Sequence, residues 1–390
     1  MSEAVIRGAR PGDLPALRTL LAARGEPADA VDLQLVADPV GLDGTAVADV
    51  DGVVAATATL LDEQLRVGTV TLRCGQVELV ATDQRFEHRG LVRALMHWCH
   101  ERSLAREHVV QVMIGIPNFY RQFGYSYAVP MHAWAQIDDS IPAPARCRVR
   151  LAGTDDIPAM AALQETVQAG FDVAMPHQSA CWSWLVNRDG SEQWVVERAS
   201  SVVGTARVST DDGVVMMGEL ATDDEEATDA LTSAALGRRV DAPAFVVDRP
   251  GVPGLASHTS EHQRVDWYYV RVPRPRVLLE ALRPELSRRL RANAPELHGD
   301  ALVSLWRSHL RFDYGPDGVG PVSEGGPLQA PVSAGGSGLP IDALGALLFG
   351  CGAAGLDERF PDAHLGAQDA LMHALFPPQT ADLLTFYLPT

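Results

Sequence analysis

Two stretches of the chain carry the same order of apolar and polar positions. Residues 6–20 and residues 149–163 each predict a short strand followed by an amphipathic helix. An aspartate precedes each helix, Asp13 in one copy and Asp156 in the other, and a proline follows in the first helical turn. A carboxylate there can cap free N–H groups, and proline lacks only a donor that would have no partner. The pattern therefore predicts an internal repeat.

Each copy continues with a predicted hairpin and then a strand that leads into a helix. In the first copy, apolar runs flank Asp51-Gly52, a pair that suits a tight type I′ turn. In the second copy, Ser200-Ser201 is the predicted turn. Residues 77–83 and 218–223 then share Glu-Leu followed by Ala-Thr-Asp, which predicts that each strand ends at the same point.

The repeat predicts the domain organisation. We expect one domain of mixed α/β type over residues 1–137 and a second over 147–274, joined by a proline-containing linker. A third region, 275–390, follows the second copy. The predicted class is α/β (α+β), with a central mixed sheet in each repeated domain.

The third region has its own pattern. Residues 277–292 predict a long helix, and residues 301–314 predict a helix followed by a strand. Residues 315–338 are rich in glycine and proline, which predicts turns or a loop. Residues 339–349 and 363–375 predict helical or mixed structure.

Composition narrows the function classes. Of 390 residues, 46% are apolar and 21% charged, so a sizeable core is expected, and the formal charge is −18. Such a surface repels nucleic acid and anionic membranes and attracts amines, although acidity also simply keeps proteins soluble. No apolar run has transmembrane length, and the start lacks the pattern of a signal peptide. Five cysteines without ligand-like spacing favour reduced thiols, so we expect a cytoplasmic protein.

A basic cluster stands out in this acidic chain. Arg85, His88, Arg89 and Arg93 fall where the strand that ends near residue 82 leads into the next helix. The free N–H groups of a helix start favour anions, and Gly90 lets a ligand approach the backbone closely. The cluster therefore predicts a pyrophosphate site, although an ordinary basic loop would have the same composition.

The second copy differs at this junction. When one gap is allowed, residues 223–230 align with the basic cluster and are mostly acidic. Asp229 and Ala230 then replace Arg89 and Gly90, so carboxylates would occupy the helix start. We therefore predict that the fold occurs twice and the anion site once.

These segments resemble a known superfamily. The run from Val80 to Met96, with Val-Ala-Thr ending a strand and Arg-Gly opening a helix, is similar to the acyl-CoA signature of the GNAT acetyltransferases. Residues 115–125, Gly-Ile-Pro-Asn-Phe-Tyr-Arg-Gln-Phe-Gly-Tyr, resemble that family's second signature. Tandem GNAT domains, the second degenerate, plus a third domain of sterol-carrier-like α/β type resemble the Eis-like branch. Residues 339–347 carry the best match in the third region.

The resemblance implies an acetyl-CoA-dependent N-acetyltransferase acting on a primary amine by direct attack. This sequence departs from the family at Glu87, where Arg or Gln is usual, and at Val92, where Gly or Ala is usual. A carboxylate at 87 would weaken CoA binding. The residues implied to bind acetyl-CoA are Val80, Ala81, Thr82, His88, Arg89, Gly90, Leu91, Val92, Arg93, Gly115 and Ile116.

Two groups are implied in catalysis. Tyr120 would protonate the departing thiolate as general acid, although the aromatic residues around it could equally form an ordinary core. The carboxylate of Thr390 would orient or deprotonate the amine, although the branch usually ends in an aromatic residue. Because a carboxylate near pKa 3.5 deprotonates an ammonium near 10 only at a cost of roughly 9 kcal/mol, orientation is favoured.

The resemblance leaves partners open. It implies a homo-oligomer such as a hexamer, and lysine side chains, polyamines and aminoglycoside-like antibiotics all fit as acceptor. The alternative function is a catalytically weak GNAT-fold protein that binds acyl-CoA or a lipid-like ligand without turnover. A lipid carrier acting through the third domain is a weaker hypothesis.

A zinc-site pattern occurs at residues 258–262. His-Thr-Ser-Glu-His fits the H-x-x-E-H arrangement of one class of metallopeptidase. That chemistry needs both imidazoles on one helix face and a third ligand, whereas this segment runs into a predicted strand. We therefore expect no metal.

Overall fold

The computed structural model describes residues 4–24, 27–138, 140–188 and 190–385. Within those residues, the strands form three sheets, each with both parallel and antiparallel pairs. The expected mixed α/β class is therefore confirmed.

The first copy folds as its pattern predicts. β2 and β3 form the predicted hairpin, and Asp51 and Gly52 at its turn have φ of 52° and 80°, as a type I′ turn requires. The strands are β1 (Val5–Gly8), β2 (Thr45–Val50), β3 (Val53–Val67), β4 (Val70–Thr82), β5 (Val110–Met113), β6 (Ser126–Pro130) and β7 (Trp134–Ile137). The helices are α1 (Leu14–Arg24), α2 (Pro27–Val40) and α3 (Leu91–Ala105).

The second copy repeats this order. Its hairpin turn lies at Ala199 and Ser200, both with positive φ, so the predicted Ser200-Ser201 turn was one residue too late. The strands are β8 (Arg148–Leu151), β9 (Val173–Met175), β10 (Glu192–Arg198), β11 (Ser201–Asp211), β12 (Val214–Thr222), β13 (Ala244–Val247), β14 (Thr259–His262) and β15 (Trp267–Arg271). The helices are α4 (Ile157–Gln168), α5 (Ser179–Asn187) and α6 (Glu225–Arg238).

The third region confirms the long helix but not the helix predicted within residues 301–314. That segment is a hairpin, in which buried Leu310 and Phe312 alternate with the exposed Arg311 between them, and this period of two is that of a strand. The helices are α7 (Pro275–Asn293), α8 (Leu344–Phe349), α9 (Leu356–Arg359) and α10 (Asp369–Leu375). The strands are β16 (Gly299–Ser304), β17 (His309–Gly315), β18 (Gly318–Val319), β19 (Ser323–Gly325), β20 (Ser337–Gly338) and β21 (Ala381–Leu383).

The repeated aspartates serve a shared purpose that differs from the predicted one. Asp156 is the residue before α4, but its carboxylate makes no cap bond to that helix. Instead it accepts two hydrogen bonds from Arg150, at 2.7 and 2.9 Å, and Asp13 accepts two from Arg7 at the same distances. Each carboxylate therefore ties its helix start back to the preceding strand.

The two copies exchange strands. β15, from the second copy, lies between β5 and β6 in the sheet of the first copy. β7, from the first copy, lies between β13 and β14 in the sheet of the second. The sheets therefore do not divide at residue 137, and the domain boundaries drawn from the sequence stay a prediction.

Helices cover both faces of the first sheet. Leucines of α1 and α2 pack with Leu79 and Ala81 of β4 on one face, and α3 packs with Val77 on the other. The third region shares a core with this sheet, since α7 and α8 pack against β3 to β6. β21 pairs with β9, which in turn pairs with β3.

Candidate active site

β4 changes direction where it reaches the candidate site. Leu79 has φ 51°, and the register with β3 shifts between Thr57 and Thr59, which marks a β-bulge. The parallel pairing of β4 with β5 ends at Gln76 opposite Val112. Beyond that pair the two strands separate, and the gap between them leads into a groove.

The groove has a volume of about 410 Å³. It is bounded by the end of β4, the start of α3 and the 3₁₀ turn Phe119–Phe123 that carries Tyr120. Two residues predicted to bind acetyl-CoA, Arg89 and Gly115, lie beside the groove rather than in its wall. The predicted residues that line it are Val80, Ala81, Thr82, His88, Gly90, Leu91, Val92, Arg93 and Ile116.

Among the described residues, the start of α3 presents backbone donors without a partner to the groove. The first helical hydrogen bond runs from Ala94 N to Gly90 O at 3.1 Å, so the N–H groups of residues 91–93 precede it. His88 and Gly90 have φ of 61° and 76°, and a Cβ at Gly90 would meet no atom within 4 Å. Left-handed residues before a helix start are typical of anion-binding turns.

Two basic side chains flank these donors. Arg93 lines the groove, where its guanidinium donates to Gln122 Oε1 at 2.7 Å and so connects α3 to the turn that carries Tyr120. Arg89 is exposed and stacks on the Phe86 ring, with 4.9 Å from its guanidinium carbon to the ring centre. Both can therefore reach an anion at the mouth of the groove.

Arg85 contributes less than the sequence suggested. Its guanidinium donates to both carboxylate oxygens of Asp83, with the shortest distance 2.7 Å. Hydrogen bonds from the Arg85 side chain and backbone lower the pKa of Asp83 to about 2. The charge of Arg85 is therefore already paired, and this arginine lies outside the groove wall.

Glu87 is compensated by an arginine that sequence reasoning missed. Arg24, the last residue of α1, forms an ion pair with Glu87, and both side chains line the groove. Arg24 Nε also donates to Thr82 O at 2.9 Å. The carboxylate thus does not stand alone beside the phosphate site. The pattern of α1 gave no signal for this contact, because it joins residues far apart in the sequence.

Tyr120 is buried and lines the groove. A Cβ at position 115 would collide with the Tyr120 ring, so Gly115 lies directly behind the ring. Among the described residues, the Tyr120 hydroxyl has no hydrogen-bond partner. Burial, together with the charge of Glu78, raises the pKa of Tyr120 to about 12, so the phenol keeps its proton at neutral pH.

The exchanged strand β15 packs an aromatic side chain against Tyr120. Tyr269 lies 5.9 Å from Tyr120 between ring centres and stacks on Tyr127 at 4.3 Å. Its hydroxyl donates to Tyr127 Oη at 2.9 Å, and Tyr127 Oη accepts from Asn118 N at 3.0 Å. Sequence reasoning missed Tyr269, because the repeat assigned it to the other domain.

Buried carboxyl groups lie on β3, β4 and α2. Burial raises the pKa of Glu63 and of Glu78 to about 8. Gln76 donates to Glu78 Oε1 at 2.5 Å. Burial raises the pKa of Asp32 to about 6, even though Arg188 pairs with that carboxylate at 3.2 Å. Of these carboxyls, Glu78 is close enough to affect the pKa of Tyr120, and Glu78 is largely protonated at neutral pH.

The junction of the second copy lacks the loop altogether. Residues 83–90 separate β4 from α3, whereas only residues 223–224 separate β12 from α6. Asp224 caps α6 by accepting from Ala227 N at 3.0 Å. The predicted alignment of Asp229 and Ala230 with the helix start was therefore wrong, but a carboxylate does occupy that start.

The second predicted catalytic residue, Thr390, lies outside the described residues, so its position stays a prediction.

Within the described residues, no group of three metal-ligating side chains is present, and residues 259–262 of the zinc-like pattern form a strand. No helix in the described part of the chain combines the length and apolar character needed to cross a membrane.

A protein-family model matches the segment of the chain that forms this groove. Residues 6–128 match the family model described as an acetyltransferase (GNAT) domain. No curated protein sequence matches the chain.

Several solved structures are similar to the whole chain. One is a GCN5-related N-acetyltransferase from Anabaena variabilis, which is 13% identical and has a TM-score of 0.72. The match covers 99% of this chain and 100% of that chain. A probable N-acyltransferase from Enterococcus faecalis has 11% identity, the same coverage and a TM-score of 0.74. Eis1 from Mycobacterium abscessus has 16% identity, 98% and 100% coverage, and a TM-score of 0.66. At these identities the likeness shows the fold. Residues 6–128 therefore form an acetyltransferase (GNAT) domain, and the full-length fold of the chain is similar to the folds of these solved structures, Eis1 among them.

Proposed function

We propose that the protein transfers the acetyl group of acetyl-CoA to a primary amine. The observation that carries the proposal is the groove at the first strand-to-helix junction, where unpaired backbone donors, Arg93 and a buried tyrosine face one space. When bound, acetyl-CoA would supply a thioester whose carbonyl carbon is open to attack by an amine.

The residues around the groove fit this donor. The N–H groups of residues 91–93 and the Arg93 guanidinium would hold the pyrophosphate, with Arg89 and His88 at its edge. Val80 and Ala81, on the separated end of β4, would offer backbone groups to the pantetheine arm. The Thr82 hydroxyl is buried without a partner among the described residues and is a further polar group for this ligand.

Tyr120 would act as general acid. A phenol with a pKa of about 12 is fully protonated at neutral pH and has no competing acceptor, so it can donate to a thiolate as the C–S bond breaks. Gly115 permits the ring to lie close to the backbone next to Ile116, beside the expected position of the thioester.

The buried Glu78 carboxyl would serve the amine once it is ionised. Because its pKa is about 8, Glu78 is largely protonated at neutral pH, and its ionised fraction, which attracts a cationic acceptor, grows as the pH rises toward 8. The ionised form is a stronger base than an ordinary carboxylate and can take an ammonium proton at lower cost. The Thr390 carboxylate would orient the amine or share in its deprotonation, as the resemblance implies.

The remaining organisation is part of the same proposal. We assign residues 1–137 and 147–274 as GNAT domains, of which only the first is catalytic, and residues 275–390 as a sterol-carrier-like domain. A cytoplasmic homo-oligomer, such as a hexamer, fits this architecture.

The test has two arms on the full-length protein. Isothermal titration with acetyl-CoA measures binding, and thiol release with a panel of amines (a lysine peptide, spermidine and an aminoglycoside) measures transfer. The proposal expects saturable binding and amine-dependent thiol release. Saturable binding without thiol release for any amine would instead favour the alternative, an acyl-CoA-binding protein without turnover. Absence of binding would overturn both.

A further inference from the structure

The second copy retains a gap between its central strands. β12 pairs with β13 only as far as Met217 opposite Val246, and Glu219 has φ 53°, the same bulge that Leu79 forms in β4. A cavity of about 60 Å³ lies in this gap. Gln164 of α4 donates to the backbone oxygen of Glu219, a residue that lines the cavity.

An unsatisfied guanidinium faces this cavity. Arg207 is fully buried and lines the cavity wall. Among the residues that the structure describes, its Nε, Nη1 and Nη2 atoms have no hydrogen-bond partner. Glu219 lies 3.5 Å from Nε and makes an ion pair with Arg207 without a hydrogen bond. Because a buried donor without a partner is strongly unfavourable, an acceptor is required here.

The other buried charged side chains around the cavity already have ion-pair partners. Arg249 donates to both oxygens of Asp382, at 2.9 and 2.7 Å, and His132 lies 3.1 Å from the same carboxylate. Glu219 Oε2 is bonded to His177 Nε2 at 2.9 Å. Burial acts to raise the pKa of Glu219, but Arg207 and His177 outweigh it and lower that pKa to about 2. Glu219 Oε1 is also buried without a hydrogen-bond partner among the described residues, but it is one acceptor against three unpartnered nitrogens of Arg207, so the excess hydrogen-bonding capacity is that of a donor.

The cavity has a polar end and an apolar wall. Arg207 and Glu219 form the buried end, and the exposed Arg264 and Asp266 lie at the mouth, so charge of both signs is present at each end. The apolar side chains that line the remainder are Met131, Trp134, Val247, Tyr268, Leu383 and Leu384. A volume of about 60 Å³ accommodates about four water molecules or a ligand of about four non-hydrogen atoms.

We propose that this cavity of the second copy is a binding site for a small carboxylate, held by Arg207 at the closed end and by Arg264 at the mouth. A carboxylate supplies two acceptor oxygens in the plane that a guanidinium prefers. A short alkyl group would lie against the leucines of the carboxyl-terminal strand. The site is separate from the acetyl-transfer groove, so it does not depend on the proposed function.

The experiment titrates the full-length protein with sodium acetate and sodium formate, at an ionic strength held constant with sodium chloride. Titration calorimetry and the melting temperature are measured together. We expect saturable binding with one site per chain and a rise in melting temperature that chloride alone does not produce. Arg207→Gln should abolish both, and Arg264→Gln should weaken binding several-fold.

Arg264→Gln guards against misfolding, because Arg264 is exposed whereas Arg207 is fully buried. Arg18→Gln, at an exposed position on α1, is the matched control and should bind like the wild type. Acetate and formate that stabilise no more than chloride would mean that only ordered water fills the cavity. That result, or equal binding by wild type and both cavity variants, would overturn the proposal.

Discussion

The two strand-to-helix junctions differ although the strands that lead into them share a bulge. In the first copy, residues 83–90 form a loop that leaves the start of α3 uncapped by any side chain and open to a groove. In the second copy the loop is missing, and Asp224 caps α6 directly. A carboxylate and a bound phosphate compete for the same donors, so one helix start cannot serve both purposes.

The buried carboxyl groups near the two bulges also differ, in their pKa values. Among the described residues, Glu78 has no cation beside it, and burial raises its pKa to about 8. Glu219 faces Arg207 and His177, which outweigh burial and lower its pKa to about 2. The first copy therefore keeps a protonated carboxyl and an open helix start, whereas in the second copy the corresponding carboxyl is ion-paired and the helix start is capped.

Substitution of Tyr120 should have the largest effect among the tests of this difference between the two copies. The 3₁₀ turn that follows β13 in the second copy, Leu255–Ser257, has no tyrosine. Tyr120→Phe should lower kcat by about 100-fold, as expected for loss of a general acid, with acetyl-CoA binding nearly unchanged. In the wild type, the pKa of about 12 predicts no loss of kcat from tyrosine ionisation up to about pH 10. Steady-state kinetics across pH measure both.

The neighbouring Tyr125→Phe is the control for that measurement. Tyr125 is also buried, but its hydroxyl bonds to Gln111 at 2.9 Å rather than facing the groove. It should keep kcat within a few-fold of the wild type. An unchanged kcat in Tyr120→Phe would remove the assigned role.

Glu78→Gln tests the contrast between the buried carboxyls. Because the folded pKa is raised, the folded state holds a proton between about pH 4.5 and pH 8 that the unfolded state releases, so the free energy of unfolding falls as pH rises through that window. The variant should remove this pH dependence. Its free energy of unfolding, relative to that of the wild type, should therefore rise by on the order of 2 kcal/mol from pH 5 to pH 8. Urea denaturation at the two pH values measures it. The exposed Glu107→Gln should show no such gain, and parallel curves for Glu78→Gln and wild type would refute the assignment.

Gly90→Asp would give the first junction the carboxylate of the second. We expect acetyl-CoA to bind at least about tenfold more weakly, equivalent to about 1.4 kcal/mol, because the new charge occupies the helix start. Gly90→Asn is the matched control, since asparagine has the same size and tolerates the positive φ of 76° without the charge. Titration calorimetry compares the two, and equal affinities would show that phosphate does not bind there.

The ion pair of Arg24 with Glu87 allows a smaller, two-directional test. Arg24→Gln leaves the carboxylate uncompensated and should raise KM for acetyl-CoA about three- to fivefold, whereas Glu87→Gln should lower it by a similar factor. Both effects should shrink at high salt. Changes in the same direction in both variants would mean that charge at this edge of the groove does not govern binding.

Asp224→Ala should have the smallest effect and touch only stability. It removes the cap of α6 and a partly buried ion pair with Arg198, which together contribute about 1 kcal/mol to the free energy of unfolding. Chemical denaturation measures that loss. KM for acetyl-CoA should not change, and a clear rise in KM would mean that the second copy takes part in cofactor binding.

Much of the local structure follows from sequence alone. The Asp51-Gly52 hairpin, the helix that begins at Leu91 and the proposed anion site before it depend on turn residues and periodicity that are local in the chain. The predicted helix within residues 301–314 was wrong because a short segment with mixed spacing fits both periods until its sheet partner is known.

Contacts between distant residues could not be predicted in this way. The pairing of Arg24 with Glu87 and the position of Tyr269 beside Tyr120 arise when separate elements meet, and no local pattern encodes them. The exchange of β7 and β15 between the two sheets could not be predicted from the repeat, because a strand's pattern shows that it pairs but not with which sheet.

The sequence by itself determined that the fold occurs twice and that only one copy keeps a basic, glycine-containing helix start. The tertiary structure alone decided which charges at that start are free, which carboxyls are buried without cations and which guanidinium lacks a partner. The physical reason is that charge and hydrogen bonding depend on distance and burial in space, whereas turns and helix starts depend on a few neighbouring residues.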